Sequence, residues 1–80
     1  MELQIKIPIN EPFSPKYLRL RYIIEDTIES RKIGEVWDST IGHDFLEIFI
    51  DYNGDNKKLQ QIKMILSSLG FYDNIEFNNF

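Results

Sequence analysis

Eighty residues, 42% apolar and 28% charged, are enough for one domain (residues 1–80) with little apolar surface to spare. A ligand-sized pocket would compete with the core, so function is expected on an outer face or between subunits. The formal charge of −4 argues against nucleic acid and anionic lipid as partners, and the lack of cysteine excludes disulfides, thiolate nucleophiles and cysteine-based metal centres.

The first residues, MELQIKIPI, have neither the basic start of a signal peptide nor the length of a membrane span, and cytoplasm is the expected location. Within them Leu3, Ile5, Ile7 and Ile9 alternate with Glu2, Gln4, Lys6 and Pro8, the period of a strand with one buried face. Asn10, Pro12 and Pro15 break the run, and Ser14-Pro15 reads as an N-cap followed by the first helical residue. Tyr17, Leu20, Ile24 and Ile28, flanked by Ile23 and Thr27, predict a helix over residues 15–31 that Gly34 is expected to end. Glu35 to Thr40 reads as a second strand. After a turn around Gly42, Phe45 to Tyr52 alternates: Leu46, Ile48, Ile50 and Tyr52 on a core face, Phe45, Glu47, Phe49 and Asp51 on the other. Asn53-Gly54 turns the chain, Asp55 caps a second helix whose stripe is Leu59, Ile62, Leu66 and Leu69 with Ile65 beside it, and Gly70-Phe71 fits a left-handed C-terminal cap. Ile75 and Phe77 mark a short final strand.

The order β-α-β-β-α-β, with two amphipathic helices, predicts an α+β ferredoxin-like fold: a four-stranded antiparallel sheet in spatial order 4-1-3-2 with both helices on one face. Lys6 is then expected to face Glu47, and the second strand to be an edge protected by its charges. Two hairpin registers fit. Pairing Thr40 with Phe45 buries Trp37 beside Ile33, Ile41 and Ile48 and sets Asp38 against Glu47. Pairing Ile41 with Phe45 sets Trp37 beside Phe49 on the open face and Glu35 against Asp51. Each register opposes like charges, and the apolar composition of that face of the strand favours a buried Trp37.

Residues 33–56 hold six carboxylates and no Lys or Arg, so this hairpin segment sets the sign of the whole chain. Trp37, Phe45, Phe49 and Tyr52 lie in the same stretch. Acid and aromatic side chains on one strand pair suit a surface that meets a basic protein. The candidate contact residues are Glu35, Trp37, Asp38, His43, Asp44, Phe45, Glu47, Phe49 and Asp51. Catalytic and metal chemistry finds no support. Asp51 to Asn56 begins like a calcium loop but has Asn56 where glycine is required and Ile62 where the bidentate glutamate belongs. His43 is the only histidine and reads as a turn residue, and Ser39 and Thr40 have no evident base. No cofactor is expected. Nucleic-acid recognition by the open sheet is disfavoured by Glu47 and Asp51 on the third strand.

The segment Gly34-Glu-Val-Trp-Asp-Ser-Thr-Ile-Gly42 followed by Asp44-Phe-Leu-Glu-Ile48 resembles the strand-turn-strand of small acidic bacterial proteins with the ferredoxin-like layout, some of which are immunity partners of secreted toxins. The resemblance rests chiefly on Glu35, Val36, Thr40, Gly42 and Asp44. It implies a non-enzymatic immunity protein or antitoxin that neutralises a basic toxin such as a nuclease by occupying its cationic site. Two alternatives stay open: a homodimer that covers Phe45 and Phe49 sheet to sheet, and a homo-oligomeric regulatory domain of the ACT type that senses a small molecule between subunits.

Overall fold

The alternating run at the start of the chain forms strand β1 (Glu2–Pro8), with Leu3, Ile5 and Ile7 buried and Gln4 and Lys6 half-exposed. In the computed structural model, which describes residues 1–10, 14–71 and 74–79, the other elements are α1 (Pro15–Ser30), β2 (Glu35–Ile41), β3 (Phe45–Asp51), α2 (Asn56–Ser68) and β4 (Glu76–Asn79). The strands form one antiparallel sheet in the order β2-β3-β1-β4. This is the ferredoxin-like α+β arrangement expected from the element order. The central break expected at Asn10–Pro15 falls partly on residues 11–13, outside the described residues, as does Phe80.

The core is a single layer between sheet and helices. Leu3, Ile5 and Ile7 of β1 and Leu46, Ile48 and Ile50 of β3 meet Ile24 and Ile28 of α1 and Ile62 and Leu66 of α2, all buried. Burying each such side chain contributes roughly 1.5–3 kcal/mol. No buried polar or charged residue interrupts this layer among the described residues. Both helices therefore lie on one side of the sheet, and the alternate residues of the strands face away from them.

Both helices start with side-chain caps and end in the same backbone motif. Ser14 Oγ accepts from the Lys16 amide at 3.3 Å with Pro15 in the first turn, and Asp55 Oδ1 accepts from the Lys57 amide at 2.8 Å. At the end of α2, Gly70 takes φ +92°, its amide donates to the Ser67 carbonyl, and the Phe71 amide donates to the Leu66 carbonyl. This is the Schellman motif with its usual glycine. The end of α1 makes the same pair of bonds, Lys32 to Glu29 and Ile33 to Ile28, but the left-handed residue is Lys32, at φ +55°. The expectation that Gly34 ends the helix is thus corrected. Gly34 serves the sheet instead: a Cβ there would stand 2.7 Å from the Asp51 carbonyl oxygen and 2.8 Å from Ile50 Cγ2.

The hairpin register is the second of the two expected at the far end of the strands, with Trp37 beside Phe49 on the open face, and neither of them next to the turn. Next to the turn Ile41 pairs with Leu46, Thr40 with Glu47 and Ser39 with Ile48. Beyond a bulge at Trp37, Val36 pairs with Ile50 and Glu35 with Asp51. One extra residue in β2 lets both ends of the strand keep their apolar side chains toward the core, with Val36 and Ile41 packed against it. The expectation of a buried Trp37 is overturned: the bulge carries the indole to the outside, where it is 54% exposed.

Candidate protein-binding face

The strand faces turned away from the helices form one open surface. β1 contributes Glu2, Gln4 and Lys6; β3 contributes Phe45, Glu47, Phe49 and Asp51; β2 contributes Glu35, Trp37, Asp38 and Thr40; β4 contributes Glu76 and Asn78. Lys6 is opposite Glu47 in the β1–β3 pairing, as expected, and opposite Glu76 in the β1–β4 pairing.

A ladder of polar contacts crosses this surface. Asn78 Nδ2 donates to Gln4 Oε1 at 3.3 Å, and Gln4 Nε2 donates to Glu47 Oε2 at 3.2 Å. The Lys6 ammonium lies 4.3 Å from the centre of the Phe45 ring, so the one lysine on the face is held over an aromatic ring. Trp37 and Phe49 form a tilted ring pair with centroids 5.2 Å apart. At one end the Met1 amine reaches Asp51 Oδ1 at 3.3 Å and the Tyr52 carbonyl oxygen at 2.8 Å. Glu2, Glu35, Asp38, Glu47, Asp51 and Glu76 thus share the face with a single side-chain cation, Lys6.

Seven of the nine candidate contact residues meet on this surface: Glu35, Trp37, Asp38, Phe45, Glu47, Phe49 and Asp51. The other two, His43 and Asp44, are exposed in the hairpin turn at its rim, where the Gly42 amide donates to the Phe45 carbonyl at 2.9 Å. Phe45 and Phe49 are half-buried on the side away from the helices, as the alternation predicts. Glu2 and Glu76 were missed as members of the site. Strand order and period-two alternation already place them beside Asp51 and Lys6, so the signal was present.

The bulge has a second effect. Ser39 is on the inner side of β2, and its hydroxyl donates to Glu25 Oε1, which also accepts from Arg21 Nε at 3.4 Å. Ser39 therefore does have a carboxylate partner that the sequence pattern did not reveal. With the Arg21 ion pair on the same carboxylate, the arrangement tethers α1 to the edge strand. In the calcium-like segment, Asn53 Oδ1 accepts from the Asp55 amide at 2.9 Å and Asp55 caps α2, so both side-chain oxygens are engaged in the turn and cap expected there.

A charged cleft of about 650 Å³ lies at the other end of the hairpin, bordered by Glu29, Lys32, Glu35, Asp51, Asn53 and Lys58. No helix among the described residues is long and apolar enough to cross a membrane. Compared with known proteins, the chain matches no family model, no curated protein and no solved structure.

Proposed function

We propose that this chain is an acidic protein-binding module, and that its open sheet face neutralises a cationic protein as an immunity protein or antitoxin does. One observation carries the reading: among the described residues, six carboxylates, one side-chain cation and three aromatic rings share a surface that none of the helices covers. A nuclease must keep its phosphate-binding site cationic, so a surface that presents Glu35, Asp38, Glu47 and Asp51 competes for that site as a charge mimic. Trp37, Phe45 and Phe49 supply apolar anchors within the charged rim. Electrostatic steering then sets the association rate, which falls as salt is added.

The same charge disfavours the sheet-to-sheet homodimer, which would press two acidic faces together at a cost of several kcal/mol. The cleft bordered by Lys32, Lys58, Glu35 and Asp51 is the one observation that favours small-molecule sensing as a second reading.

The test is co-expression with the protein encoded beside this chain. That neighbour is expected to be cationic, toxic when expressed alone, and neutralised by the wild-type chain. A Glu35→Gln/Asp38→Asn/Glu47→Gln/Asp51→Asn variant is expected to lose the neutralisation. Protection that survives in the variant would refute charge mimicry.

A further inference from the structure

Charge is divided between the two sides of this molecule far more sharply than a net −4 suggests. Among the described residues, the side chains of six carboxylates and Lys6 give the sheet face a formal −5. The other eight of the nine Lys and Arg all lie on α1, α2 and the residues that cap them, where the carboxylates among the described residues are Glu25, Asp26, Glu29 and Asp55, a formal +4, with Glu29, Lys32 and Lys58 at the border of the cleft that Glu35 and Asp51 share. Each side also leaves apolar side chains uncovered. Opposite the aromatic sheet, Leu18, Tyr22, Ile23 and Met64 are exposed on the helices, Tyr22 at 69% and Met64 at 71%. Ile23 and Met64 border a groove of about 310 Å³ between α1 and α2, with Arg31 at its edge. A basic, partly apolar surface thus backs an acidic, aromatic one.

We infer that the helix layer of one copy docks on the sheet face of another, head to tail. The inference rests on the reading that the sheet face is a contact surface for cationic protein, and it names a second copy of this chain as one such surface. Like faces repel and unlike faces attract, so charge selects the heterologous contact over the isologous one. The two surfaces lie on opposite sides of the fold, so each docked copy leaves one of each exposed and the contact does not close on itself. Assembly is therefore open-ended, strengthens with concentration, and keeps the sheet face occupied until a more cationic partner displaces the neighbouring copy.

Sedimentation velocity of the full chain over a range of concentrations tests this. At about 20 mM salt the weight-average sedimentation coefficient is expected to rise with concentration without levelling at a dimer, and about 500 mM salt is expected to weaken the association at least tenfold. Two variants separate the surfaces: Glu35→Gln/Asp38→Asn/Glu47→Gln on the sheet and Arg19→Gln/Arg31→Gln/Lys57→Gln on the helices, all at surface positions and each checked for folding by circular dichroism. Each alone is expected to be monomeric, and a mixture of the two to form a 1:1 dimer that grows no further. A wild-type chain that stays monomeric at low salt overturns the inference, as does a helix variant that still dimerises alone. Binding of a monomeric wild type to vesicles of mixed neutral and anionic lipid would assign the helix layer to a lipid surface and overturn it too. Titration of the helix variant with a cationic lysozyme, used as a probe, reads the sheet face separately. Binding there with no self-association in the wild type leaves the functional reading standing while the head-to-tail contact falls.

Discussion

Replacing Lys32 by glycine should make this protein more stable although it removes side-chain atoms and adds no contact. α1 and α2 end in the same motif with the same two backbone bonds, one built on Lys32 at φ +55° and the other on Gly70 at φ +92°. A side chain in the left-handed region costs about 1–2 kcal/mol. Glycine removes that cost but adds about 0.5–1 kcal/mol of chain entropy lost on folding, so Lys32→Gly should stabilise by about 0.5–1 kcal/mol, or about 2–8 °C in Tm for a domain of this size. Urea unfolding followed by circular dichroism reads the change as a higher midpoint at constant slope. Lys32→Ala controls for the lost charge and should give no such gain, because alanine stays strained. The reciprocal change, Gly70→Ala, should cost about 1 kcal/mol. A Cβ at Gly70 would meet nothing within 4 Å, so that cost isolates the backbone term. A Lys32→Gly midpoint equal to or below that of the wild type would refute the reasoning.

Gly34→Ala should cost about 2–3 kcal/mol in the same assay, because the new methyl would collide with the Asp51 carbonyl oxygen and force β2 away from β3. Trp37→Ala should cost only about 1 kcal/mol, the worth of its ring pair with Phe49, against the 3–5 kcal/mol expected of a core aromatic. Trp37 is the only tryptophan, so its fluorescence should be readily quenched by acrylamide in the folded protein, and a protected indole would contradict the exposed placement. Ser39→Ala should cost about 1 kcal/mol and speed amide hydrogen exchange along β2, since the serine hydroxyl joins that edge strand to Glu25.

The period-two runs at Leu3–Ile9 and Leu46–Tyr52 and the helical stripes at Tyr17–Ile28 and Leu59–Leu69 are strong enough to reveal β1, β3, α1 and α2, and, with the shorter runs at Glu35–Thr40 and Ile75–Phe77, the β-α-β-β-α-β order and the arrangement of the sheet. The inner and outer faces of β3 were equally legible, because alternation there has no interruption. The pairing of β2 was not. Its pattern looked contradictory because no single register keeps Val36 and Ile41 both facing the core; the bulge at Trp37 resolves the conflict by adding one residue, and nothing in the local composition marks where it falls. The opposed carboxylates Glu35 and Asp51 were foreseen in one of the two registers and are real. The end of α1 was misread for a simpler reason: glycine is the usual left-handed residue, and the chain uses Lys32 there while spending Gly34 on a close approach of strands. The acidic hairpin was legible as a cluster, but Glu2 and Glu76 join it only through the sheet's spatial order.

The separation of opposite charges onto opposite sides also changes how the molecule behaves toward any charged matrix. The pI of about 4.8 that its composition gives suggests that near neutral pH it should adhere to positively charged resins alone. A support senses the patch turned toward it rather than the sum over the chain. The same preparation should therefore be retarded by cation- as well as anion-exchange media at low ionic strength, sheet side down on one and helix side down on the other.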